Sequence, residues 1–126
     1  MSKDNINFGK SAEDEAADFL KKSGYKILER NYRTNLGEID IIARDKDTIC
    51  FIEVKARRSD KFGLPQESVF NHKQKQISRT ALLFLKTKNL LDKKARFDVV
   101  SVLCLGETHS INLIKNAFDL EERFTY

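Results

Sequence analysis

Residues 37–58, GEIDIIARDKDTICFIEVKARR, constrain this chain more than any other stretch. Two runs, 38–42 and 49–55, are rich in β-branched and aromatic residues and flank a charged segment at 44–48. Such residues suit a pleated, half-buried surface, so the stretch reads as a β-hairpin. Side chains alternate across a strand, which groups Glu38, Asp40 and Ile42 on one face of the first run. The same rule groups Phe51, Glu53 and Lys55 on the second. A turn centred on Lys46 and Asp47 sets Asp40 opposite Glu53. An odd-length turn makes the pair diagonal, still within reach of long side chains. Two carboxylates and an ammonium therefore converge on an otherwise apolar sheet.

Like charges opposed across a sheet are destabilising. Neighbouring carboxylates also raise one another's pKa unless a cation lies between them. A divalent ion resolves the conflict, and an all-oxygen donor set selects Mg²⁺ (or Mn²⁺), usually with waters and substrate phosphate oxygens completing the shell. The alternative is a plain ion network in which Lys55 pairs with Glu53 or Asp40.

The chain has 126 residues, enough for a single domain with a real core, spanning 1–126 with its core at about 8–114 and a loosely docked tail at 115–126. At 40% hydrophobic and 33% charged residues, its composition is that of a soluble globular protein. No run is long and apolar enough for a membrane span, and residues 1–11 are too polar for a signal peptide, so a cytoplasmic location and no membrane partner are expected. Cys50 and Cys104 sit in apolar, strand-like runs and read as small buried hydrophobes, not as a disulfide or metal site. Charge is unevenly placed: residues 55–96 carry twelve Lys+Arg against three Asp+Glu, a balance of +9 beside −5 for the remainder. A basic block next to a carboxylate cluster suits a polyanion whose phosphate is held by metal, although a lysine-rich helix surface has the same composition.

A first helix is expected at 11–23, capped by Ser11 with Asp14 three residues on, buried through Ala12, Ala16, Phe19 and Leu20, and stopped at Gly24. Glu13 borders its buried stripe; a carboxylate in a first turn also suits the helix dipole. A strand follows at 25–33, then a turn at 35–37, giving an antiparallel three-stranded meander. Residues 56–65 leave the hairpin as a loop carrying Arg57, Arg58 and Lys61, cations suited to phosphate contacts. A second helix is expected at 71–88 with Ile77, Ala81, Phe84 and Leu85 buried. Gln74 lies on that buried line and could reach the site or bond a local carbonyl, whereas Lys73 and Lys75 flank it. Apart from Asp98 and Ser101, residues 97–105 are apolar on both faces, as in a strand covered on both sides, reached by a right-handed parallel crossover. A turn at 106–109 and a short strand at 110–114 complete the order.

His72 and His109 form no zinc or triad pattern, no serine sits in a nucleophile elbow, and no glycine-rich phosphate loop is present. What remains is Glu13, then Asp40, then Glu53-Val54-Lys55, in an α-β-β-β-α-β order. This resembles the α/β restriction-endonuclease-like fold, a mixed sheet flanked by helices, with its Asp…(Asp/Glu)-x-Lys nuclease site. It is most similar to archaeal Holliday-junction resolvases, in which a helix-1 Glu, an Asp and a Glu-x-Lys are the active residues. GEIDIIARD followed by FIEVKAR closely resembles an uncharacterised bacterial family, the YraN-type endonuclease-like proteins. The resemblance covers roughly residues 8–105.

The resemblance implies a Mg²⁺-dependent endonuclease acting on DNA, branched or structured DNA among its substrates. Asp40, Glu53 and the Val54 carbonyl would hold the metal, and Glu13 would bind a second ion or orient a water. Lys55 would position or deprotonate the attacking water and stabilise charge on the phosphate. Arg57, Arg58, Lys61, Lys73, Gln74 and Lys75 would contact the nucleic acid. Resolvases work as homodimers, but nothing in this sequence marks a dimer surface. The alternative reading is a non-catalytic nucleic-acid-binding module that keeps the fold, since fold alone does not fix function.

Overall fold

In a computed structural model, residues 3–58 and 71–118 are described, with side chains from 9 to 58 and from 73 to 118. The elements run α1 (Lys3–Lys22), β1 (Lys26–Thr34), β2 (Gly37–Asp45), β3 (Thr48–Arg57), α2 (Asn71–Thr87), β4 (Lys94–Leu105) and β5 (Thr108–Phe118). The expected α-β-β-β-α-β order is present and β5 extends it. The five strands form one mixed sheet in the order β1-β2-β3-β4-β5. Only β3 and β4 pair in parallel, which is what a helical crossover through α2 requires.

Among the described residues, each face of the sheet carries one helix. On one side Ala12, Ala16, Ala17 and Leu20 of α1 pack on Ile41, Ala43, Cys50, Ile52, Val100 and Val102. Small residues on α1 let its backbone lie close to the strands. On the other side Ile77, Ala81, Phe84 and Leu85 of α2 pack on Ile42, Ile49, Phe51, Phe97 and Val99. Ring contacts link this layer: Phe84 lies edge-on to Tyr32 at 5.3 Å and to Phe51 at 6.0 Å, and Phe97 stacks on Phe118 at 4.8 Å. β3 and β4 are therefore buried on both faces, as their apolar runs require. No helix among the described residues is long and apolar enough to cross a membrane.

Several boundaries differ from the sequence expectation. α1 begins at Lys3, so Ser11 lies inside the helix and does not cap it. Asp4, Asn5, Asn7 and Gly9 are all weak helix formers, but the most unfavourable of them, the glycine, costs only about 1 kcal/mol. Its other end is as expected: Gly24, at φ 95, turns the chain out, and the Tyr25 N–H donates to the Leu20 carbonyl at 2.9 Å. The expected strand at 25–33 is present as β1 but is not regular, because its register with β2 shifts between Ile27 and Glu29. Residues 115–118, assigned above to a loose tail, belong to β5, with Phe118 held by its stack on Phe97. The rest of that tail, 119–126, lies outside the described residues.

β5 reaches Phe118 only by bulging. Its register with β4 shifts between Phe97 and Val99, and Asn116 takes a left-handed φ of 57. The buried Asp98 carboxylate accepts the Asn116 N–H at 2.9 Å, where the ladder has no acceptor to offer. Arg96 neutralises Asp98 through Nε and Nη2 at 2.9–3.1 Å and also donates to Asp45 at 3.2 Å and the Tyr25 hydroxyl at 2.8 Å. This network ties the start of β4 to the β2–β3 turn and to the exit of α1.

Candidate active site

The hairpin register places the first two site residues. β2 and β3 pair from Asp45↔Thr48 to Ile41↔Ile52, so opposed positions sum to 93, as a turn centred on Lys46 and Asp47 demands. Lys46 makes that two-residue turn possible by adopting a φ of 57. The ladder stops one step short of the expected Asp40–Glu53 pair. There the Asp40 carboxylate accepts the Val54 N–H at 2.8 Å, so a side chain stands in for the ladder carbonyl.

Alternation along β2 also breaks at this point. Ile39 packs with Ile42 in the α2 layer, whereas Ile41, between them, packs in the α1 layer. Strict period-two alternation would put Ile39 and Ile41 together. The expected grouping of Asp40 with Ile42 is therefore incomplete, because the strand changes its facing at Asp40. Gly37, at the start of β2, lets α2 come close. A Cβ there would sit 2.9 Å from the Thr80 hydroxyl and 3.5 Å from the Gln76 Cβ. Thr80 cannot turn away freely, since it is buried and donates to the Gln76 carbonyl at 2.7 Å.

Glu53 is buried, at 9% exposure, on the α2 side of β3. Lys55, two residues on, brings its Nζ to 3.4 Å from Glu53 Oε1. Lys73, in the first turn of α2, places its Nζ 2.5 Å from the same oxygen. Asp40 and Glu53 lie within hydrogen-bonding reach of each other. Burial and then the Glu53 charge push the Asp40 carboxyl up to about 7, against the opposing pull of the Val54 N–H bond. Burial pulls the Lys55 ammonium down, as does crowding by Lys73, with Glu53 opposing both. Burial also pulls Lys73 down, but its hydrogen bond and charge attraction to Glu53 outweigh this and its pKa rises.

Glu13 reaches the same region from α1. It is half-buried, and burial pushes its carboxyl up. Arg30 opposes this, while Glu38, Asp14 and Glu53 add to it. Asp40 also feels the Glu13 charge. Arg30, which ion-pairs with Asp14 at 2.8 Å, is a cation beside Glu13 that the sequence reading did not single out. Its position depends on how α1 lies across β1, and periodicity carries no information on that.

The remaining expected residues divide. Lys73 joins the carboxylates themselves rather than flanking them. Gln74 and Lys75 follow it half-buried in the first turn of α2. Arg57 is half-buried at the end of β3. Arg58, exposed, lines a cleft of about 360 Å³ together with Ser11, Glu15, Cys104 and His109. Within that cleft His109 Nδ1 lies 2.8 Å from Glu15, a pair that holds the β5 start to α1. Lys61 lies outside the described residues.

Does this arrangement suit a divalent ion? Among the described residues no group of three or more His, Cys, Asp or Glu is gathered to hold a metal, although Glu13 is near enough to raise Asp40 through its charge. The two strand carboxylates nevertheless fit one. They are close enough to raise Asp40 strongly, both are hard oxygen donors, and a lysine ammonium already sits on Glu53 where a cation is called for. A two-carboxylate site leaves room for the waters and phosphate oxygens that Mg²⁺ favours.

The sequence model of a family described as "Uncharacterised protein family UPF0102" matches residues 12–102. A UPF0102 protein of Syntrophus aciditrophicus is 56% identical over 116 residues, covering 92% of this chain and 91% of that protein. One from Desulfosudis oleivorans is 52% identical over 112 residues, covering 89% of each. One from Geobacter metallireducens is 48% identical over 120 residues, covering 95% of this chain and 98% of that protein. Among solved structures, one described as "Crystal structure of SSO0001" superposes with a TM-score of 0.39 at 18% identity, and this chain spans 56% of its length. A superposition that loose carries no argument about the site.

Proposed function

The chain belongs to the uncharacterised protein family UPF0102, and we propose that it is a metal-dependent endonuclease that hydrolyses phosphodiester bonds in DNA, branched or structured DNA included. The observation that carries this reading is the pairing of Asp40 with Glu53 at the end of the β2–β3 ladder, with Lys55 on the same carboxylate. The Val54 N–H bond and the lysine pairs give each carboxylate a local partner, but crowding the two together raises Asp40 strongly, and strongly perturbed groups of this kind are characteristic of working sites.

Asp40, Glu53 and the Val54 carbonyl would hold Mg²⁺ or Mn²⁺. The ion, when bound, supplies Lewis acidity toward the scissile phosphate. Lys55 would hold the attacking water and stabilise negative charge developing on the phosphate, roles that suit an ammonium partly stripped of water. Glu13 would orient a water from the α1 side. Arg57, Lys61, Gln74 and Lys75 would contact the sugar-phosphate backbone, which positions DNA without reading its sequence. Arg58 belongs to this set only if the nucleic acid extends over the α1 side of the sheet.

Lys55→Met tests the reading, since it removes the ammonium and keeps the apolar stem. Single-turnover cleavage of duplex, flap and junction DNA in Mg²⁺ should fall by at least about a hundredfold, the scale for one positioned catalytic group. Affinity for the same DNA in Ca²⁺ should stay within about threefold, because one lost charge contact contributes little. Equal cleavage by wild type and variant would mean the site is wrong.

A second reading, a non-catalytic nucleic-acid-binding module, is favoured by one observation: Glu53 already carries two ammonium groups. Binding of DNA by the wild type, with no cleavage of any substrate in Mg²⁺ or Mn²⁺, would make it the better account.

A further inference from the structure

We propose that Lys73 is an internal counter-cation: it occupies Glu53 while the site lacks metal, and it is released to a DNA phosphate when a divalent ion takes that carboxylate. Metal and DNA would then bind cooperatively through one lysine. The inference rests on the metal-dependent reading above and adds to it how the site is regulated.

Three observations carry it. First, Lys73 and Lys55 crowd onto the same oxygen, Glu53 Oε1, at 2.5 and 3.4 Å. One carboxylate oxygen has more cation than it needs, and the two ammonium groups repel each other. Second, the partners differ in freedom. The Glu53 side chain is 10% exposed on a central strand, while Lys73 is 34% exposed on the first turn of a helix. Lys73 can swing into solvent about its own side-chain bonds; Glu53 cannot follow without unpacking β3. Third, the charges balance without a metal. Asp40 and Glu53 offset Lys55 and Lys73 when all four are ionised, and Glu13 adds its charge from α1. A divalent ion added to this cluster leaves a surplus of positive charge. Ejecting the lysine that is least buried relieves that surplus, and a phosphate oxygen is the partner such an ammonium would find.

The competing account is a structural clamp, in which Lys73 pins the start of α2 to β3 and never leaves. The two accounts differ in linkage. If Lys73 transfers, metal must tighten DNA binding and DNA must tighten metal binding by the same factor.

Calorimetric titration with Ca²⁺, with and without a short DNA duplex, tests this on wild type and Lys73→Met. Duplex should tighten Ca²⁺ binding to wild type by about tenfold, within the usual range of coupling between two sites. In Lys73→Met, Ca²⁺ should bind about tenfold tighter without DNA, and the duplex should then change it by less than about threefold. Removal of any nearby positive charge would tighten Ca²⁺ binding somewhat, so the loss of coupling is the deciding result. Equal coupling in both proteins would overturn the transfer and leave the metal reading standing. If neither protein takes up Ca²⁺ at any concentration, with or without duplex, both the metal reading and this inference fall.

A second measurement needs no variant and decides the matter should Lys73→Met fail to fold. Reductive methylation of wild type, read at Lys73 by peptide mass spectrometry, should be slow in chelator, faster by about tenfold in Ca²⁺, and slow again in Ca²⁺ with duplex. A rate at Lys73 that Ca²⁺ leaves unchanged would overturn the proposal.

Discussion

Asp40→Asn should make the metal-free protein more stable at pH 8 while leaving it unchanged near pH 4. The Asp40 carboxyl is raised from 3.8 to about 7 by burial and by Glu53. In the unfolded chain it returns to its ordinary value. Between about pH 4 and pH 7 the folded protein therefore holds a proton that the unfolded protein has released, and stability falls as pH rises through that window. Above about pH 8 the loss is complete. A difference of about 3 units at 1.36 kcal/mol each makes about 4 kcal/mol a ceiling for the effect. Asparagine keeps an oxygen to accept the Val54 N–H and gains an amide that can donate to Glu53, so little is lost in exchange. A gain of about 2–4 kcal/mol at pH 8 is the expected outcome, measured by urea unfolding in EDTA. The same melts at pH 4 should superpose. Adding Mg²⁺ at pH 8 should reverse the order, because an ion that binds only the folded wild type adds stability by mass action. The reasoning fails if the variant is no more stable at pH 8, or if its advantage is the same at pH 4 and pH 8.

Two further outcomes follow from the packing that positions the site. Gly37→Ala should cost about 1–3 kcal/mol in urea unfolding, since its Cβ meets a fixed Thr80 hydroxyl at 2.9 Å and pushes α2 away from β2; a change under about 0.5 kcal/mol would mean α2 yields freely, as a surface element does. Asp98→Ala should cost about 3 kcal/mol or more, because it strands the Arg96 charge and leaves the Asn116 N–H without its acceptor. A loss below about 1 kcal/mol would mean that Asp45 and the Tyr25 hydroxyl suffice to hold Arg96.

Much of this architecture is written in local patterns. Period-two runs bounded by charged or glycine-containing turns identified β2 and β3, and the two-residue turn at Lys46 and Asp47 set their register to the residue. The apolar stripe Ile77, Ala81, Phe84, Leu85 located α2 and its buried face. The doubly apolar run of β4 implied cover on both sides, and a helix between two strands implied a parallel pair. These follow from chain geometry, because 3.6- and two-residue periods leave a direct mark on which positions are apolar. The start of α1 and the extent of β5 were not legible. A helix N-terminus without proline has weak local punctuation, and β5 continues past a bulge whose Asn116 N–H is accepted by a buried aspartate of another strand, with Phe118 stacked on Phe97.

By itself the sequence determined that Asp40, Glu53 and Lys55 would meet, since turn length and strand alternation are local properties of one hairpin. It did not determine how they meet. That the ladder ends one step early, that Asp40 is spent partly on the Val54 N–H, and that the strand changes its facing between Ile39 and Ile41 all depend on which layer each residue packs into. Nor did it determine which cation reaches Glu53. Read along the helix, Lys73 is one of several lysines flanking an apolar stripe. Its contact with Glu53 exists because α2 crosses from the end of β3 to the start of β4 and sets its first turn over that face. Glu13, with Arg30 beside it, is placed by the way α1 lies on the opposite face. Periodicity reports which face of an element is buried, but a charged residue at the margin of that face takes its partner from the neighbouring layer, and only the packed structure supplies one.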